Sequence, residues 1–225
     1  MRHWLVSLLL LVLSASALAQ QDYVGRFDAY GGYSFLESGK LNLFERGFNG
    51  EFGVNVKRWV ALGFDFSVFT GHSSLTPNKL NPATQAQLLP ILALLPPGAT
   101  ISVPFNTTTY TYSAGPQINI RKLKSVTFFV RPALGALHQE VTAKPGDPLT
   151  GAIVAGLIGP SNKTSSTATF YGFGGGFDIN ATKHVGIRMA GDFVHYAIFQ
   201  SFLNGGENAI RFSVGPSFHF GGNVQ

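Results

Sequence analysis

The chain contains no cysteine, so it has neither a disulfide framework nor a thiol for lipid attachment. Charged residues make up only 12% of the sequence, about half of what soluble domains carry. Beyond the N-terminal segment, no stretch offers the ~20 apolar residues that a membrane-spanning helix needs. These absences exclude a disulfide-rich scaffold and a helical membrane protein. With 45% hydrophobic residues, the composition suggests an apolar surface that faces lipid.

The N-terminal segment has the order of an export signal. A basic start at Arg2 and His3 precedes an apolar run from Trp4 to Leu13, and small residues follow up to Ala19. This order predicts a secretory signal peptide over residues 1–19 that is cleaved after an A-x-A site. The alternative, a membrane anchor, needs a longer apolar run. Residues 20–225 then form one domain.

A glycine-rich stretch, TFYGFGGGFDI at residues 169–179, invites comparison with a phosphate-binding loop. The dinucleotide fingerprint would need glycine where Phe177 stands, and no helical pattern follows. We therefore expect no cofactor there. The basic residues behind the net charge of +5 are scattered, so no nucleic-acid partner is expected either.

Apolar and polar residues alternate through most of the remaining sequence, which is the pattern of half-buried strands. The glycine-rich stretch follows it too, with Tyr171, Phe173 and Phe177 on one face. We predict eight strands, at residues 23–35, 48–57, 60–68, 109–120, 126–135, 171–179, 185–193 and 210–220. Each is close to the ~9–11 residues of a tilted membrane strand.

The connections between these strands alternate in length. Short turns join strands two and three, four and five, and six and seven, whereas the third connection runs over about residues 71–106. Asn55, Asn119 and Asn180 each stand just before a basic short turn, as in a weak repeat. This layout predicts an all-β fold, an eight-stranded antiparallel up-and-down transmembrane β-barrel with short periplasmic turns and longer extracellular loops.

The polar face of the strands is also rich in small residues, which favours an inward orientation. The alternative, a soluble lipocalin-like barrel, would place the apolar face inside. Charges on the lipid face would each cost about 2–4 kcal/mol at mid-bilayer. We predict a charge network in the lumen, made of Arg26, Asp28, Glu51, Asp65, Arg131, Asp178, Arg188, Asp192 and Arg211. Such a network either plugs the barrel or lines an ion path, and we favour the plug.

Aromatic and proline residues add two further expectations. Aromatic side chains near the strand ends predict interfacial belts, with Trp59 at the short-turn end and Tyr196 at the loop end. Pro116, Pro132 and Pro216 cannot donate to a ladder, so we expect them at bulges.

From residue 23 to 220, this architecture resembles the small outer-membrane barrels of Gram-negative bacteria, the OmpA/OmpX-type superfamily. The resemblance implies outer-membrane lipid and lipopolysaccharide as surroundings. It also implies the barrel-insertion machinery as a partner, with Phe220 as the nearest equivalent of the terminal aromatic signal. Members serve as scaffolds, adhesins, small channels or lipid-modifying enzymes.

No residues form a catalytic or metal-binding motif. His72 and His195 near loop serines could imitate the Ser-His pair of barrel enzymes, but no spacing links them. The apolar run from Leu88 to Leu95 in the long loop should fold over the barrel or contact a surface ligand. We therefore predict a non-enzymatic structural or surface-interaction barrel at the cell surface. The alternatives are a narrow channel for small solutes and, less favoured, a lipid-modifying enzyme.

Overall fold

A computed structural model describes residues 21–93 and 100–225. The predicted signal peptide, and Leu94 and Leu95 of the apolar run, lie outside these residues. The eight strands are β1 (Gly25–Ser38), β2 (Leu43–Lys57), β3 (Val60–Leu75), β4 (Val103–Ile120), β5 (Val126–Ala143), β6 (Lys163–Asn180), β7 (Val185–Tyr196) and β8 (Glu207–Asn223). The two α-helices are α1 (Pro82–Leu92) and α2 (Pro148–Ile158), and Pro77–Lys79 forms one 3₁₀ turn.

The strands form one closed barrel in which each pairs antiparallel with its sequence neighbours and β1 pairs with β8. The predicted up-and-down topology is confirmed. The strands are longer than the expected ~9–11 residues. The longest, β4, β5 and β6, each have 18 residues. The added residues of these three strands lie mainly at the loop end of the wall, where β4 begins at Val103 and β5 ends at Ala143. The predicted loop at 71–106 is correspondingly shorter, since Leu75 still pairs with Val103.

The outward face of the wall is apolar, as the alternation predicts. Trp59, Phe64 and Phe173 are 58%, 58% and 68% exposed, which suits side chains that contact lipid rather than a core. Tyr196 is an exception to the predicted aromatic belt. It is only 1% exposed, and its hydroxyl lies 2.6 Å from the hydroxyl of Ser38. It faces inward, so its assignment to the belt is wrong.

The prediction that the prolines mark bulges is wrong. Pro116 and Pro132 fall in one interruption of the β4–β5 ladder, between the pairs Ser113–Gly135 and Ile118–Val130. The register is the same on both sides of this interruption, so no residue is inserted. A proline lacks only its own N–H, and two prolines on facing strands leave one ladder locally unbonded without shifting it.

Pro216 follows the same rule. It lies where the β1–β8 ladder has a gap, between the pairs Tyr30–Ser217 and Tyr33–Val214, while its pairing with Ile187 of β7 continues. The register shifts lie elsewhere, at Gly25/Phe27 in the β1–β8 ladder and at Asn55/Lys57 in the β2–β3 ladder.

The extracellular connections fold into a cap, by which we mean the 3₁₀ turn, α1, α2 and residues 197–206. Leu80 bridges to Leu203, which joins two of its parts. The run that the sequence placed in a loop is partly helical, because Leu88 and Leu89 lie in α1. Leu88 is buried, whereas Leu89 is 61% exposed. No helix in the described residues is long and apolar enough to cross a membrane.

Both helices start at a side-chain cap, which explains where they begin. Asn81 accepts a hydrogen bond from the Thr84 backbone N–H of α1. Asp147 forms a capping box with Thr150 at the start of α2. The hydrogen bonds from the Thr150 backbone and hydroxyl lower the pKa of Asp147. Burial lowers the pKa of Lys79 in the 3₁₀ turn, whose ammonium donates to the Leu41 and Ser74 carbonyls.

Candidate functional site

A continuous chain of ion pairs fills the middle of the barrel. It runs from acid to arginine and back, so that every arginine contacts two acids. We call it the lumen network, and its order is Asp178, Arg188, Glu51, Arg131, Asp192, Arg211 and Asp65. All seven side chains are at most 12% exposed.

Arg131 crosses the lumen from β5. Its Nη1 lies 2.7 Å from Glu51 Oε1 on β2, and its Nε lies 3.2 Å from Asp192 Oδ1 on β7. Strands β2 and β5 are three positions apart around the eight-stranded ring. The guanidinium therefore bridges two distant parts of the wall.

Arg188 and Arg211 complete the crossing. Arg188 of β7 holds Asp178 with two hydrogen bonds of 2.8 and 2.9 Å and reaches Glu51 on β2 at 2.5 Å. Arg211 of β8 binds Asp192 at 2.8 Å and Asp65 on β3 at 2.5 Å. Charged partners that are buried must be paired and hydrogen-bonded to be tolerated, and this arrangement meets that condition.

Two features of the wall accommodate these side chains: a glycine that leaves space and an aromatic ring that contacts a guanidinium. Gly174 faces Arg131 on one side and Asp192 on the other in the ladders of β6, and a Cβ atom there would overlap Asp192 Oδ1. The aromatic ring of Phe129 lies under the Arg188 guanidinium, with 4.8 Å between the guanidinium carbon and the ring centroid. Gly174 is therefore the position in the glycine-rich stretch that leaves space for the lumen network, whereas Gly172 and Gly176 lie against backbone atoms of β7.

A second polar layer lies toward the periplasmic turns and is centred on Asp28. Its carboxylate lies 2.7 Å from His219 Nδ1 and accepts a 2.7 Å hydrogen bond from Asn55. Arg121, which follows β4, lies 3.9 Å from Asp28 and donates to Asn55. The amide oxygen of Asn180 lies 3.1 Å from His219 Nε2. This layer lines the periplasmic end of the lumen.

The structure brings eight of the nine predicted lumen charges into these two layers and leaves Arg26 out. Arg26 is exposed and lies at the register shift between Gly25 and Phe27. Because the shift breaks the alternation, its side chain does not follow the inward series of Asp28 and Tyr30. Its placement in the network is therefore corrected.

Sequence reasoning missed Arg121 and did not join His219 to the charges. A signal was present for the asparagines of this layer. Asn55, Asn119 and Asn180 were recognised as a repeat before the short turns, and all three lie in the hydrogen-bonded periplasmic layer. Arg121 stands in a turn, where no alternation indicates direction.

The extracellular end of the lumen, which we call the mouth, has a different lining. Leu36, Leu43, Phe69 and Leu137 are inward and at most 2% exposed. A small polar layer lies within this region, in which Thr107 and Thr109 donate to Glu45, and Gln139 donates to Thr109.

Two histidines near the loop end of the wall contact polar side chains of neighbouring strands. His138 contacts Thr167 and His195 contacts Asn208, each at 2.7 Å, and no described histidine side chain bonds a serine. Within residues 21–93 and 100–225, no group of three His, Cys, Asp or Glu side chains could hold a metal ion.

Comparison with known proteins agrees with this architecture. The family model described as "Outer membrane protein beta-barrel domain" matches residues 5–220. No curated protein matches the chain.

Several solved barrels have a similar fold. Ail of Yersinia pestis, in complex with the heparin analogue sucrose octasulfate, aligns with a TM-score of 0.52 and 15% identity, covering 88% of this chain and 99% of Ail. Neisserial surface protein A aligns with a TM-score of 0.51 and 12% identity over 86% of this chain and 96% of its own. OprG of Pseudomonas aeruginosa aligns with a TM-score of 0.51 and 10% identity over 90% of this chain and 99% of OprG.

Proposed function

Because the chain belongs to the outer membrane β-barrel family, we propose that it is a surface protein with a closed lumen, whose extracellular cap carries a structural or surface-interaction role. The observation that carries this proposal is the lumen network. Its arginines connect β5 with β2, β7 with β2 and β8 with β3 across the barrel. An eight-stranded barrel is only just wide enough to be filled by its own side chains.

A passing solute would have to separate these pairs. Removing one partner of a buried ion pair typically costs about 3–5 kcal/mol, and Arg131 alone contacts two acids. The network therefore acts as a plug that is expensive to open. In this proposal, seven of the nine predicted lumen charges form the plug, Asp28 belongs to the periplasmic layer, and Arg26 belongs to neither.

A narrow channel is the second candidate, and one observation favours it. The hydroxyls of Thr111 and Ser217 are buried in the lumen and have no protein partner. Unpaired hydroxyls of this kind suit a path for water molecules. A lipid-modifying enzyme is less well supported, because the described histidines pair with threonine, asparagine, acid and backbone groups.

The expected partners follow from the same architecture. We propose outer-membrane lipid and lipopolysaccharide around the exposed apolar band, and the insertion machinery at β8, in which Phe220 packs beside Phe27. We also propose that residues 1–19 are a signal peptide and that residues 20–225 form the barrel domain. A surface ligand would meet the cap, and the heparin analogue bound to Ail makes a sulfated glycan one suitable probe.

Planar-bilayer recordings test the closed lumen. Wild-type protein should show no steady conductance, whereas Arg131→Ala should give open or flickering channels because Glu51 and Asp192 each lose a bridging partner. Arg26→Ala removes an equal charge outside the network and should behave as wild type. Steady open channels in wild type would overturn the plug and favour the channel.

A further inference from the structure

The mouth encloses an apolar cavity that neither the plug nor the barrel wall requires. The wall contributes Val103 and Phe105 of β4, and α2 contributes Val154 and Leu157. Phe199 of the cap closes another side. Of the fourteen lining residues, only two are polar, Gln139 at the floor and Thr164 on β6.

The cavity is larger than packing defects usually are. It has a volume of about 60 Å³, whereas a cavity needs roughly 10–15 Å³ to hold one water molecule. Water would find few hydrogen-bonding partners there, and apolar cavities of this kind stay dry and accept apolar ligands. If the cavity is empty, the atoms that line it lack dispersion contacts on one side.

The lining residues come from connections on different sides of the barrel. Leu41 lies in the connection between β1 and β2, and Ile158 lies at the end of α2, between β5 and β6. These connections stand on opposite sides of an eight-stranded ring. Apolar side chains from both of these connections thus line one cavity, and a flexible aliphatic chain can adapt to such a lining.

One side of the cavity is less covered than the others. Leu157 and Ile158 of α2 and Phe202 of the cap are only half-buried, whereas Val103, Phe105 and Val154 are buried. A ligand would therefore reach the lining most directly from this side, beside α2 and residues 197–206.

We propose that this cavity binds one aliphatic chain, which enters beside α2 and residues 197–206. The chain is either that of a free amphiphile or an acyl chain of an outer-leaflet lipid, since both present the same surface to the lining. This inference rests on the proposed role of the cap and gives the cap a ligand class.

Photolabelling in lipid nanodiscs tests the proposal and separates the two sources. One sample receives a diazirine analogue of octanoic acid, and a second contains a phospholipid with the diazirine in its acyl chain. Mass spectrometry maps the labelled peptides. We expect saturable labelling of α2 and residues 197–206 by at least one probe, several-fold above that of the lipid-facing strands. Labelling by octanoate alone indicates a soluble ligand, and labelling by the phospholipid indicates a membrane source.

Two variants on α2 form a matched pair. Val154→Phe fills the cavity and should reduce this labelling several-fold, whereas Ala152→Phe on the exposed face should leave it unchanged. Ala143→Leu fills the cavity from the β5 wall and repeats the test if Val154→Phe disturbs α2. Equal labelling of cap and lipid-facing strands, or labelling that survives both fillings in folded protein, would overturn the proposal. Conductance of wild type would disprove the plug without affecting this readout.

Discussion

The middle and the mouth of the lumen are lined by the same eight strands, yet they are filled in opposite ways. On β5, Arg131 points into the ion-pair chain, while Leu137, six residues further along the same inward face, is 1% exposed in an apolar cluster. Inward orientation therefore does not fix polarity in this barrel. What differs is how each region is closed.

The middle is closed by bonds between its own wall residues. Seven charged side chains satisfy one another within the lumen network, and no loop takes part. The mouth has no such pairs and is instead covered by the cap, whose residues Leu88, Val154 and Leu203 join the same apolar cluster as Leu137. The middle should thus be independent of the cap, whereas the mouth should depend on it.

The largest expected effect comes from the middle. Arg131→Ala leaves Glu51 and Asp192 with one arginine each and should lower the free energy of unfolding by about 3–5 kcal/mol. Urea titration with a heat-shift gel measures it. Arg26→Ala is the control, because Arg26 is exposed and outside the network, and it should change little. Equal effects of the two variants would show that the ion pairs contribute nothing specific.

A smaller loss is expected in the mouth. Leu137→Ala removes a buried side chain from the apolar cluster and should cost about 2–4 kcal/mol in the same titration. Leu89→Ala on the exposed side of α1 should cost far less, because Leu89 is 61% exposed. The comparison between the two regions fails if Leu137→Ala is neutral, since the mouth would then be loosely packed.

The smallest effect concerns the wall between them. Gly174→Ala adds a Cβ that overlaps Asp192 Oδ1, and crowding of this kind costs about 1–3 kcal/mol. Gly191→Ala in the paired strand β7 is the control, because its Cβ would lie 3.9 Å from the Arg211 carbonyl oxygen. A difference in unfolding midpoint between the two variants checks that glycine is needed at position 174 to accommodate the network.

The sequence was sufficient for the wall and for most of the lumen charges. Alternation identifies the inward face directly, so Glu51, Asp65 and Arg131 could be assigned without knowing their partners. The prediction for Arg26 was wrong because a register shift reverses the alternation beside Gly25. Such a shift cannot be seen in the polarity pattern of the sequence. The assignment of Tyr196 to the aromatic belt was wrong because the inward-facing series of β7 continues to this last residue of the strand.

The cap could not be predicted in the same way. α1 contains Pro90, and α2 contains Gly151 and Gly156, all of which disfavour a helix in isolation. Short helices of this kind are stabilised mainly by tertiary packing, here against the apolar mouth. The cavity depends on that packing too, since α2 supplies part of its lining. The pairing of charges within the lumen network could not be predicted either, because strand order does not specify which side chains meet across a lumen.

The central claim is that the lumen network, and not the cap, closes the barrel. Leu75 pairs with Val103, Thr142 with Lys163 and Tyr196 with Glu207, so short turns can replace residues 76–102, 144–162 and 197–206 without opening the wall. The cap-deleted protein, shown to be folded by its heat shift, should then be recorded in planar bilayers beside wild type. The account predicts no steady conductance from either protein. Steady channels in the cap-deleted protein alone would show that the cap is the closure and would contradict the account.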